Sequence, residues 1–117
     1  MTAYTFAYKF IKFSVFFVIF FIYKSYKFKK NQKYINQLIQ KGATIIDVRS
    51  HSEFESGSRL GSLNIPLSEV DEALKKLDKQ KTFVFCCASG IRSRRALKIF
   101  KRNGFKNLVN AGSWKTF

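Results

Sequence analysis

A chain of 117 residues has room for one domain and buries a workable core without disulfides or metals. Its 22 Lys and Arg against 7 acids leave a formal charge of +15, which raises nucleic-acid binding as the first question; no zinc-finger spacing, RNP-like strand or helix-turn-helix pattern accompanies the charge, so no nucleic-acid partner is implied. The two cysteines, Cys86 and Cys87, are neighbours, which excludes an ordinary disulfide framework, and one His with two adjacent Cys makes no metal-ligand set. No cofactor is implied, and a free, usable thiol remains.

Residues 3–23, AYTFAYKFIKFSVFFVIFFIY, are apolar and aromatic, interrupted only by Lys9 and Lys12. The uncharged core, Phe13 to Tyr23, is eleven residues long, short of the roughly 20 that a membrane span needs. A helix beginning near Ala3 or Tyr4 reaches that length, with Lys9 and Lys12 snorkelling to the near interface and tyrosines at both headgroup zones. KSYKFKKNQK follows, without the small-residue cleavage site of a signal peptide, so the expectation is a retained single-pass anchor. Lys24, Lys27, Lys29, Lys30 and Lys33 outnumber Lys9, Lys12 and the terminal amine, which places the rest of the chain in the cytoplasm by the positive-inside rule. The same cluster suits anionic membrane lipid. Residues 1–30 are thus read as a transmembrane anchor with a basic juxtamembrane segment, and 31–117 as the domain.

Within the domain, Asn31 to Lys41 shows Tyr34, Ile35, Leu38 and Ile39 at helical spacing, with Gly42 as the stop. Thr44 to Val48 reads as a strand with Asp47 and Arg49 at its C-terminal end. Ser50 to Glu53 matches a capping box and opens a short helix ended by Gly57. His51, in that cap turn, reads as a surface residue. Ser62 to Ile65 is a second short strand closed by Pro66, and Ser68 is expected to cap a helix over Glu69 to Leu77. Lys81 to Cys86 is a third strand, Ser93 to Arg102 a helix, and Asn107 to Val109 a last strand. This alternation predicts an α/β fold with a mostly parallel central sheet flanked by helices. In such sheets ligands bind beyond the carboxyl ends of the strands.

Cys87 falls there. FVFCCASGIRSRRAL, residues 83–97, brings together a thiol, a Gly-containing turn and a helix start. Compacted into a loop, Cys87, Ala88, Ser89, Gly90, Ile91 and Arg92 turn backbone N–H groups toward the sulfur, and the following helix adds its positive dipole end. Such surroundings lower a thiol's pKa and hold an anion. The plain alternative is a small buried hydrophobe at the end of a strand. Cys86, one residue earlier, points to the opposite face and packs.

IIDVRSHSEF (45–54), GSRLGSLNIPL (57–67), CASGIRS (87–93) with RRA after it, and NAGSW (110–114) together resemble the rhodanese-like family of single-domain sulfurtransferases. The resemblance spans residues 32–117 and implies that Cys87 is the nucleophile and that Ala88, Ser89, Gly90, Ile91 and Arg92 form the cradle that holds a persulfide. Cys87 would take sulfane sulfur from a small anionic donor such as thiosulfate or polysulfide, or from a protein persulfide, and pass it to a thiol or cyanide acceptor. Arg92 closes the loop and is expected to help hold anionic donors, with Arg94 drawing anions toward the mouth. Asp47 and Arg49 are read as architectural, pinning the loop or pairing with Glu53. The loop counts six residues from Cys87 to Arg92, where related phosphatases have seven; the tighter ring suits one sulfur atom. Two departures stand out: Gly57-Ser58-Arg59-Leu60-Gly61 replaces the family's Gly-His-Ile-Pro-Gly, and Ala111-Gly112 replaces its double Gly. A phosphatase or arsenate-reductase-like enzyme and a non-catalytic docking module are the competing readings.

Overall fold

A computed structural model describes residues 2–117 and divides the chain into a unit ending at Asn31 and a unit spanning Gln32–Phe117. One helix, α1 (Ala3–Gln40), runs through 38 residues where the sequence suggested an anchor helix and a separate one over 31–41. No Gly or Pro lies between them, and Lys is a good helix former, so nothing interrupts the ladder. In the first unit Phe13 and Phe17 pack at 4.8 Å between ring centroids, and Lys12 and Lys24 lie over Tyr8 and Phe20, each at 5.3 Å. These are i, i+4 neighbours on the helix surface. The helix is long and apolar enough to cross a membrane, and its phenylalanines are exposed.

In the second unit Ile35 is the buried residue of α1, whereas Tyr34 is exposed. The helix ends in a Schellman motif: Ala43 N–H donates to Leu38 O and Gly42 N–H to Ile39 O, both at 3.0 Å, with Gly42 at φ 99°. Four strands follow, β1 (Thr44–Asp47), β2 (Leu63–Asn64), β3 (Phe83–Cys87) and β4 (Leu108–Ser113). They form one parallel sheet in the order β2-β1-β3-β4. The order reverses between β1 and β3, so the carboxyl ends of these two strands form the crevice where such sheets bind ligands. Every residue of β3 is buried, as a central parallel strand covered on both faces requires. Phe83, Phe85, Phe100 and Phe105 make an aromatic core with centroid separations from 4.7 to 5.8 Å.

Helix α2 (His51–Glu55) carries the expected capping box on Ser50. Ser68 caps nothing; the segment after Pro66 is a 3-10 turn (Leu67–Glu69), one turn of helix α3 (Val70–Ala73) and a second 3-10 turn (Leu74–Lys76). Leu67 N–H already bonds to Val48 O at 3.1 Å, so the segment starts fastened to the end of β1. Helix α4 (Ile91–Arg102) begins two residues earlier than expected, because Gly90 turns the chain at φ 98°. Strand β4 outruns its expected end and takes in residues 110–113.

Candidate functional site

Cys87 is the last residue of β3, and Trp114 N–H donates to its carbonyl at 2.9 Å, tying it to the end of β4. Alternation puts Cys87 and Phe85 on the face covered by α4 and Cys86 on the other. Both thiols are free and buried. Their surroundings differ in sign. Burial pushes the Cys87 thiol up, but the Ser93 hydroxyl and the N–H groups of Ser93, Ser89 and Gly90 together outweigh it, and its pKa lies below the ordinary thiol value. Gly90 N–H donates to Cys87 Sγ at 2.9 Å, and Ser93 Oγ stands 3.5 Å from it. Cys86 is pushed up to about 12, first by burial and then by the Asp47 carboxylate.

Ala88, Ser89 and Ile91 face solvent, while Gly90 is buried. A side chain at Gly90 would begin 3.1 Å from Gly112 Cα, and its φ lies in the left-handed region, so both space and backbone demand glycine. Arg92 does not stand alone at the loop's close. Its two terminal nitrogens donate to the two carboxylate oxygens of Glu53 at 2.7 and 2.9 Å. That bidentate pair fastens the loop to α2, and the Arg92 hydrogen bonds lead the causes that hold the Glu53 carboxyl down at about 2.

Asp47 and Arg49 form a second, buried pair. Arg49 Nε donates to both carboxylate oxygens of Asp47 at 3.0 Å and its Nη2 to Oδ2 at 2.8 Å. The guanidinium also donates to Gly57 O at 2.7 Å and Glu53 O at 3.3 Å, and lies over the Trp114 ring at 4.5 Å. So β1, α2, the Gly57 turn and the end of β4 meet on one arginine. Arg49 reaches the backbone of Glu53; the Glu53 side chain goes to Arg92. Arg94 and Arg95 are exposed on α4. His51 is exposed, and its ring nitrogens lie 2.7 Å from Asn64 Oδ1 and 2.7 Å from Glu69 Oε2.

Three contributors escaped the sequence reading. In the sequence Ser93 reads only as a helix start, although it follows Arg92 directly. Asn110 and Trp114 lie inside a matched segment but carried no assigned contact, since the partners that give them meaning are 17 and 65 residues away in sequence.

A family profile described as rhodanese-like domain matches residues 31–117. The chain belongs to this family. It is 37% identical over 68 residues to the protein YqhL of Bacillus subtilis, covering 58% of this chain and 54% of that one. It is 36% identical over 88 residues to a putative mitochondrial thiosulfate sulfurtransferase of Schizosaccharomyces pombe, covering 63% of this chain and 62% of that one. Among solved structures, the human single-domain sulfurtransferase TSTD1 superposes with a TM-score of 0.67 at 29% identity, over 72% of this chain and 88% of that one. The chain thus spans little more than half the length of the two curated relatives.

Proposed function

We propose that the chain is a membrane-tethered sulfurtransferase or persulfide carrier working through Cys87. The observation that supports this best is the set of donors around one sulfur: Gly90 N–H, the Ser93 hydroxyl and neighbouring amides, inside a loop of six residues. In the first half-reaction the Cys87 thiolate attacks the outer sulfur of thiosulfate; the S–S bond of the donor breaks with its electron pair on departing sulfite, and Cys87 holds a persulfide. In the second, cyanide or a thiolate attacks the outer persulfide sulfur, and the thiolate of Cys87 leaves. The loop donors stabilise the anionic sulfur in both. The fungal relative's name makes thiosulfate the first donor to try.

Ala88, Ser89, Gly90 and Ile91 form the cradle in this reading. Arg92 closes the cradle, fastened to α2 through Glu53, and helps hold an anionic donor. Asp47 and Arg49 brace it through Gly57 and Trp114. Arg94, exposed on α4, draws anions toward the loop. In this reading α1 is a membrane anchor, supported by its length and apolar character, and the lysine excess C-terminal to its apolar stretch supports a cytoplasmic domain.

The test is mass spectrometry of the purified full chain in detergent after treatment with thiosulfate or polysulfide. A gain of one sulfur on the Cys87 peptide, removed by cyanide and absent in Cys87→Ala, is the expected outcome. An unchanged mass with every donor and an intact thiol overturns it in favour of a docking module, and turnover of aryl phosphate exceeding sulfur transfer favours a phosphatase.

A further inference from the structure

Strand β4 contains a register shift: Phe85 pairs with Asn110, while Cys86 pairs with Gly112, leaving Ala111 as the extra residue of a bulge. Residues paired in register share a face, so Asn110 stands on the face of Phe85 and Cys87, under α4. Its side-chain amide makes three hydrogen bonds there. Oδ1 accepts from Ser93 Oγ at 2.7 Å and from Gly112 N–H at 3.0 Å, and Nδ2 donates to Gly90 O at 3.2 Å. The amide's orientation follows from its partners: Gly112 N–H only donates and Gly90 O only accepts, so a flipped amide would set donor against donor and acceptor against acceptor.

We propose that Asn110 is a positioning residue for Cys87, holding Gly90 and Ser93 around the sulfur with one amide and giving the Ser93 proton a second place to rest. Gly90 is gripped at its carbonyl by Asn110 while its own N–H reaches Sγ. Ser93 has a single hydroxyl proton and two acceptors, Asn110 Oδ1 at 2.7 Å and Cys87 Sγ at 3.5 Å. With a neutral thiol, S–H donates to Ser93 Oγ and the hydroxyl donates to Asn110. When the sulfur becomes a thiolate or a persulfide anion, rotation of the hydroxyl turns that proton to it. Asn110 therefore keeps the donor within one bond rotation of the charge it serves.

The inference rests on reading Cys87 as the sulfur-bearing residue, but its test needs no sulfur transfer. The pH dependence of iodoacetamide alkylation at the Cys87 peptide is followed in the full chain in detergent. Asn110→Ala frees the Ser93 hydroxyl from a competing acceptor but also lets the Gly90 N–H and the Ser93 side chain drift from the sulfur; the loss of both donors outweighs that release, and the Cys87 thiol pKa is expected to rise by about one pH unit. Asn110→Asp should raise it further, since a carboxylate cannot donate to Gly90 O and repels the thiolate. Ser93→Ala should also raise it, and the Ser93→Ala/Asn110→Ala double variant should fall short of the sum. Asn107→Ala, which loses one exposed bond to Gln80 O, should leave the profile unchanged. A folded Asn110→Ala with the parent profile, or shifts that add in the double variant, overturns the proposal. If the Asn110 variants do not fold, Ser93→Ala with an unshifted profile does the same. A shifted profile in a protein that accepts no sulfur upholds Asn110 as a positioning residue and counts against sulfur transfer alone.

Discussion

Two cysteines stand next to each other on one strand, and their thiol pKa values move in opposite directions. The alternation of a strand separates their faces, and the donors of the loop reach only one of them. Alkylation near neutral pH should therefore modify Cys87 and spare Cys86, whose thiol is held up at about 12; equal labelling of both peptides by mass spectrometry would contradict this. Glu53 gives a second prediction at this scale. Its carboxyl is lowered to about 2 in the fold from a usual value of 4.5, so the unfolded chain takes up the proton first. Its contribution to stability is complete above about pH 4.5 and disappears as the pH falls toward 2. Urea midpoints across that window should decline more steeply for the parent chain than for Glu53→Gln, which has no such proton to take up. At this scale the thiol was legible in the sequence because its strand, turn and helix are contiguous. The Arg92–Glu53 pair was not, since 39 residues separate its members and local pattern gives no measure of which acid a given arginine will meet.

Helices and strands were legible where their signals are local. The capping box at Ser50 and the stop at Gly42 appear as the residues suggest. Ser68 caps no helix because the N–H of Leu67 is taken by Val48, just past the end of β1, and a 3-10 turn starts there instead. The bulge at Ala111 was invisible, as a register shift exists only between two strands. Two substitutions test how elements carry the site. Gly90→Ala must place a β-carbon in the left-handed region, about 1–2 kcal/mol unfavourable on conformation alone, and against Gly112 Cα as well. We expect it to displace the loop, with sulfur uptake lost while circular dichroism still reports a folded domain. Phe100→Ala removes the ring shared by Phe83, Phe85 and Phe105 and should lower the unfolding free energy by about 3–5 kcal/mol, measured by urea titration of the full chain in detergent.

For the whole molecule, the charge is best understood by segment. The lysines that follow the apolar stretch of α1 stand where anionic headgroups would meet them, in our reading, so that this cluster needs no nucleic acid to explain it. The full chain should sediment with membranes and resist alkaline carbonate extraction, and removal of residues 1–30 should release the remainder to the soluble fraction. Protease added to intact spheroplasts should spare the domain; digestion from outside would overturn the cytoplasmic placement.

Burial of Cys87, at 1% exposure, has a consequence for how such a domain presents itself to others. While empty, it shows the surrounding solution almost no sulfur, and a bulky maleimide should react far more slowly than iodoacetamide does. If Cys87 takes up sulfur as proposed, the transferable atom would sit one S–S bond, about 2 Å, beyond Sγ. On the proposed function an acceptor has to meet that outer sulfur at the loop, while Cys87 itself stays buried behind it. On that reading a loaded domain would differ from an empty one by a single atom at the loop, and recognising it would require no change of fold.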